Sequence, residues 1–372
     1  MLLDELGHRI DDVYAYRDNR VDSFIKPDKI EELYMKTGVQ YQKFNTIYQL
    51  ASDDELRKTR TLDYLNYLLT GKKVNEYTNM STTQLLDIQT SKLSKELLDF
   101  CQTDVEIFQD IVMPGTSLGS LSKDMRKVIG ADIEVIVPCT HDTGSAYMAA
   151  IEDKSIILSS GTWSLMGVES EKVINTEKSM NENFTNEGGY EYRYRYLKNI
   201  MGLWMIQSVR HELDDKYSFA ELCEMAEECK TFPSRVDVNS DEFLAPESMI
   251  DAIKEYCKKT NQQIPEQIGE IATVIYQSLA ESYGQTVKEI EENTGRTYEA
   301  IYIVGGGSNA EYLNKLTANA TGKTVYAGPL EATAIGNIMA QAIRDEQIEN
   351  LTEARKCVMN SFEIKKYQPD NN

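Results

Sequence analysis

Along the 372-residue chain, the pattern of apolar and polar positions changes its period near residue 130. Before that point the regular stretches are helical: in DDELRKTRTLDYLNYLLTG, Leu62, Leu65, Leu68 and Leu69 fall on one helix face, and Gly71 ends the run. Strand signals are scarce there, so residues 1 to about 130 are expected to be helical and irregular. Afterwards, short β-branched runs end in glycine turns and pass into helices, as in DIEVIVP, SIILSSGTW, AIYIVGGGSN and TVYAGP. That alternation predicts an α/β domain. Between those strands, PEQIGEIATVIYQSLAESYGQTVKEIEENTG opens at Pro265, closes at Gly295 and steps its apolar residues from Ile268 to Ile290 by three or four. One long amphipathic helix is predicted for it. The closing KKYQPDNN is polar and is expected to fray.

Length and a hydrophobic fraction of 41% suffice for two cores, which favours two domains. A net charge of −21, without a local basic patch, disfavours nucleic acid and anionic membrane as partners. The six cysteines (101, 139, 223, 229, 257 and 357) show no CxxC spacing and read as reduced, mostly buried thiols. The start MLLDELGHRIDD has no signal-peptide core, and no apolar run is long enough to span a bilayer, so a cytoplasmic protein is expected.

Four stretches could carry chemistry, and each has a plain structural alternative. In AIYIVGGGSNAEYLNKLTANATG a strand meets Gly305, Gly306 and Gly307, and Ser308 or Asn309 could cap a helix bearing Leu313 and Leu316. Such a turn suits a nucleotide, but serves equally for tight packing. In SIILSSGTWSLMGVE the strand ends in serines, Gly161 and Thr162, short donors able to hold phosphate oxygens or simply to make a turn. TVYAGPLEATAIGNIMAQAI adds a strand and a helix whose Ala332, Ala334 and Gly336 permit close packing. In IVPCTHDTGSAYMAA, Asp142 stands where a strand yields to a helix: it could cap free amides there, or accept a proton from a substrate hydroxyl as phosphoryl transfer begins, with His141 donating to a polyol. Cys139 with His141 falls short of a metal site on ligand count. A further pair, Asn199 and Gln207 in YLKNIMGLWMIQSVRHEL, reads as two amides about two helical turns apart on one face, beside Ile200, Met201 and Trp204.

Taken in order, THDTGSA, LSSGTWSLMGVE, FTNEGGYEYRYRYLKNIMGLW, IVGGGSNAEYLNKLTANATG and AGPLEATAIGN resemble the FGGY carbohydrate kinases, and YAYRDNR, FNTIYQL and LNYLLTGKKVNEYTNMSTTQLLD are similar to that family's first domain. His141 before Asp142 narrows the resemblance to the branch acting on L-rhamnulose. The resemblance implies an actin-like, ribonuclease-H-like fold of two α/β domains with the active site in a cleft between them: a sugar-binding part over 1–150, a nucleotide-binding part over 151–345, and a helix and tail over 346–372. It implies transfer of the ATP γ-phosphate to the 1-hydroxyl of L-rhamnulose, with ATP and Mg²⁺ as cofactors. Asp142 matches the proton acceptor; His141, Thr143 and Asn199 match sugar contacts; Thr162, Gln207 and the turn at Gly305, Gly306 and Gly307 match the ATP site.

Members of the family begin with a glycine-rich hairpin carrying an Asp-x-Gly-Thr/Ser motif that grips phosphate and organises the metal, and no such motif stands in this sequence. The chain is therefore expected to start inside the family's first domain, with impaired activity unless a separate amino-terminal fragment completes it. A non-catalytic remnant that binds only nucleotide or sugar is the alternative.

Overall fold

The computed structural model describes residues 2–3, 21, 26–53, 60–61, 63–150 and 155–370. The elements that matter for function are, in chain order, α1 (Tyr64–Thr70), α2 (Tyr77–Ser81), β1 (Ser117–Ser120), β2 (Glu134–Ile136), α3 (Asp142–Met148), β3 (Ile156–Ser160), β4 (Ser164–Ser170), β5 (Phe184–Gly188), β6 (Tyr194–Ile200), α4 (Trp204–Glu212), α5 (Ile268–Thr294), β7 (Ala300–Val304), α6 (Glu311–Thr321), β8 (Thr324–Ala327), α7 (Ala332–Arg344) and β9 (Lys365–Tyr367). They fall into two compact units, each assembled from separated stretches: 1–148, 169–196 and 334–354 in the first, and 149–168, 197–333 and 355–372 in the second.

The first unit carries short elements, as the sparse patterning requires. α1 ends at Gly71 in the left-handed conformation, where the helical pattern stops; Leu62 of that pattern lies outside the described residues. One of its cores, among the described residues, gathers Leu33, Ile47, Tyr48, Leu50, Tyr77, Met80, Leu85, Leu97 and Leu98. A smaller cluster of Val74, Leu118 and Val137 sits at β1 and β2, which pair antiparallel.

A seven-stranded sheet is ordered β5-β6-β4-β3-β7-β8-β9, and the second unit is built on its β3, β7, β8 and β9. β7 runs parallel to both β3 and β8, so its five residues, buried on both faces, are all apolar: Ala300, Ile301, Tyr302, Ile303 and Val304. The helix α5 occupies 268–294 of the stretch expected for it. Its buried stripe includes Ile271, Ile275, Leu279, Tyr283, Val287 and Ile290, and Tyr283 anchors it through a 2.7 Å bond between its hydroxyl and Ser164 Oγ.

Two local expectations fail. As far as Asp370, the last described residue, the polar end is ordered: Lys365–Tyr367 add an antiparallel strand to β8, and the Asp370 amide donates to Asn319 Oδ1 of α6 at 2.8 Å, while 371–372 lie outside the described residues. Lysines with an intervening or flanking aromatic suit a charged edge strand, and a polar sequence there marks solvent exposure instead of disorder. Nor do Ser308 or Asn309 cap α6. Both lie in a 3₁₀ turn at Gly306–Asn309, and α6 starts after Ala310 without a side-chain cap.

Candidate active site

In the first unit, β2 delivers the chain to a short connection and then to α3, which starts at Asp142. The leading amides of a helix need acceptors. Here the His141 carbonyl takes them, receiving Gly144 N at 2.8 Å and Ser145 N at 3.3 Å. The Asp142 side chain takes only the Thr143 amide of that first turn, and 81% of its area is exposed. Its Oδ1 accepts from Thr143 N at 2.7 Å and from Thr143 Oγ1 at 3.3 Å, so the neighbouring threonine orients the carboxylate. Thr143 itself is buried.

His141 is held by groups distant in sequence. Its Nδ1 lies 3.4 Å from Arg195 Nη1 and 3.6 Å from Asp142 Oδ1. Burial, and then the Arg195 charge, push the imidazole below the usual histidine range, which favours the neutral ring. A guanidinium can only donate, so the nearer of the two neighbours requires Nδ1 to be the acceptor and puts the proton on Nε2. His141 is thereby prepared as a hydrogen-bond donor, suited to a sugar hydroxyl. Arg195 is fully buried, bonds the Gly188 carbonyl through Nε at 3.0 Å, and meets Glu187 Oε2 at 3.1 Å. Neither Arg195 nor Glu187 is marked by sequence reasoning. The one signal is a charged residue inside the aromatic strand Tyr194–Ile200, where pleating sends it to a buried face.

In the second unit, β3 ends at Ser160 and the turn that follows receives α4: Gly161 O accepts Leu203 N and Thr162 O accepts Trp204 N, each at 3.0 Å. This brings Thr162 Oγ1 to 3.3 Å from Gln207 Oε1, so these two expected nucleotide contacts do meet. Asn199 does not share a helix with Gln207. It lies on β6, and α4 begins only at Trp204. The alternation of YRYLKNI makes a strand, and the period of α4 cannot be extended back through Gly202.

The three glycines after β7 have separate causes. Gly305 adopts φ +83°, which glycine alone tolerates readily, and a Cβ on Gly307 would overlap Ser160 Oγ and Cβ. Gly306 has neither constraint: nothing lies within 4 Å of where its Cβ would stand. Local packing therefore explains two of the glycines, and the third leaves main chain open at the head of a helical turn, as phosphate oxygens require.

Among the described residues no group of three or more His, Cys, Asp or Glu is arranged to hold a metal ion, so a cation caged by side chains does not fit here. Among them, too, no helix is long and apolar enough to cross a membrane.

The first unit thus presents an exposed, threonine-oriented carboxylate beside a donor histidine, and the second a glycine turn with open space at Gly306. The chain belongs to the FGGY family of carbohydrate kinases: the family's N-terminal domain matches residues 2–149 and its C-terminal domain residues 156–344. It is accordingly an ATP-dependent carbohydrate kinase. Among its relatives is the rhamnulokinase of Oceanobacillus iheyensis, 47% identical over 99% of this chain and 81% of that protein. The rhamnulokinase of Bacillus subtilis is 44% identical over 99% of this chain and 79% of its own. Nothing in these matches supports the expected loss of activity. The fold is that of the actin-like ATPases: xylulose kinase from Lactobacillus acidophilus superposes with a TM-score of 0.76 at 16% identity, over 99% of this chain and 77% of that one. Plasmodium falciparum glycerol kinase with ADP gives 0.73 at 13% identity, over 95% and 73%.

Proposed function

We propose that this kinase phosphorylates L-rhamnulose on its 1-hydroxyl, giving L-rhamnulose 1-phosphate and ADP in the cytoplasm. The observation that carries the reading is the 47% identity to rhamnulokinases across 99% of the chain, together with His141 and Asp142 standing adjacent at the head of α3. Asp142 accepts the proton of the 1-hydroxyl as its oxygen attacks the γ-phosphorus and the bond to the β-phosphate oxygen breaks. His141 Nε2, Thr143 and Asn199 bind the sugar. Thr162, Gln207 and Gly305–Gly307 hold ATP, which enters as its Mg²⁺ complex with the ion carried chiefly by phosphate oxygens and water. In this division of labour residues 1–150 form the sugar-binding domain and 151–345 the nucleotide-binding domain.

The test is ATP-dependent phosphorylation across L-rhamnulose, L-fuculose and D-xylulose. A kcat/KM for L-rhamnulose at least about tenfold above the others is expected, because a site that hydrogen-bonds each hydroxyl penalises a misplaced one. Equal or better use of another ketose would reassign the substrate.

Gly306→Ala probes the nucleotide turn without disturbing the fold. Since open space surrounds that position, the urea midpoint should stay near the parent's, while KM for ATP rises on the order of tenfold through crowding of the phosphates. An unchanged KM would remove this turn from the ATP site.

A further inference from the structure

The first unit contains a buried carboxylate with no place in the reaction described above. Glu76, at the residue before α2, is fully buried, and no cation pairs with it among the described residues. A buried charge without a counter-ion is costly unless donors surround it. Five donors do. Oε1 accepts Thr78 N at 2.7 Å, and Oε2 accepts Thr78 Oγ1 at 2.5 Å, Asn79 N at 3.2 Å, Thr140 N at 3.0 Å and Thr140 Oγ1 at 2.8 Å.

Capping α2 accounts for two of these bonds and the Thr78 hydroxyl for a third, and a neutral serine or asparagine serves as a cap almost anywhere. The other two reach across 64 residues to Thr140, two positions before Asp142. A second route runs in parallel, because Thr78 Oγ1, while donating to Glu76, accepts the His141 amide at 3.2 Å. Asn79 Nδ2 adds a bond to Thr140 Oγ1 at 3.0 Å. Main chain at 140 and at 141 is thus tied, directly and through one hydroxyl, to a single carboxylate. An anion does this better than an amide would. Both its oxygens only accept, and charge-assisted bonds are about twice as strong as neutral ones. Asp63 backs the arrangement from behind: its Oδ2 accepts the Glu76 amide at 2.5 Å, and burial pushes its own carboxyl up to about 6.

We infer that Glu76 is a positioning residue for phosphoryl transfer, its buried carboxylate clamping the Thr140–His141 main chain so that Asp142 and His141 are presented in fixed register to the sugar. The inference rests on the role given to Asp142 and His141 above. Glu76→Gln keeps the volume but turns one acceptor into a donor facing the Thr140 amide. kcat is expected to fall on the order of 10- to 100-fold, as displacement of a reacting group by about 1 Å does, with KM for ATP within about threefold of the parent. Hydrogen–deuterium exchange reads the clamp without turnover: amides of the 138–145 peptide should exchange at least about tenfold faster, while those of β3 keep their protection.

If Glu76→Gln fails to fold, the pair Thr78→Val and Thr78→Ser decides the matter. Valine deletes the linking hydroxyl at constant shape and should reproduce both effects, and serine should restore them. Unchanged exchange at 138–145, or equal losses in the valine and serine variants, overturns the inference. Should the parent chain phosphorylate no ketose at all, the kinase reading has failed, and the exchange measurement still decides the clamp.

Discussion

Asp142→Asn is expected to lower kcat by roughly 10²- to 10⁴-fold while leaving sugar affinity within a few-fold, the range that loss of a general base produces. The substitution is close to isosteric, and the amide oxygen can still accept from Thr143 N and Thr143 Oγ1, so the head of α3 keeps its local bonds. The Gly144 and Ser145 amides remain satisfied by the His141 carbonyl, which the substitution does not touch. Stability should therefore change little, and the loss should sit in turnover. Steady-state release of ADP with L-rhamnulose gives kcat, and calorimetric titration of the sugar gives affinity. Turnover near that of the parent would remove Asp142 from the proton transfer and with it the mechanism proposed above.

The second large effect is expected at a position that touches no ligand. Gly336, in the middle part of α7, faces α3 so closely that a Cβ there would overlap the Ser145 carbonyl oxygen and stand 2.6 Å from its carbonyl carbon. Two opposing terms meet in Gly336→Ala. Alanine gains up to about 1 kcal/mol in helix propensity, whereas backbone overlap of this depth costs about 3 kcal/mol or more, since neither helix can yield by rotating a side chain. The clash prevails. Because the displaced helix begins with Asp142, turnover should fall together with stability, by roughly 10²-fold for a shift near 1 Å. Urea midpoints compared with kcat at low denaturant check both parts. A variant as stable and active as the parent would mean that the two helices do not pack at this distance. The small residues Ala332, Ala334 and Gly336 had suggested close packing in general, and the structure assigns the need to Gly336.

What could be read from the sequence follows the range of the forces involved. β7 was legible because a strand buried between parallel neighbours is a continuous apolar run, β3 and β8 by short β-branched runs that end in turn residues, and α5 because its stripe repeats over 27 residues. His141, Asp142 and Thr143 could be singled out together because they are adjacent in the sequence. Asn199 was misassigned because a helical period was extended backward across Gly202 into YRYLKNI, whose alternation is that of a strand. The tail was misread because exposure was taken for disorder. Glu76, Glu187 and Arg195 were invisible for another reason. Charged residues default to the surface; partners 64 and 54 positions away hold Glu76 and Arg195 inside, and Glu187 follows Arg195.

The contact between Arg195 and His141 also bears on redesign of the enzyme for other sugars. Position 141 is the obvious place to diversify, yet its ring nitrogen is an acceptor for a guanidinium that solvent cannot reach. Replacing the imidazole with an aliphatic side chain would take one acceptor from that cation and leave Glu187 and the Gly188 carbonyl to hold it, at the cost of a buried donor left unpaired. A combinatorial library should therefore vary 141, 187 and 195 as one block, so that the buried guanidinium keeps a matched set of acceptors in each variant.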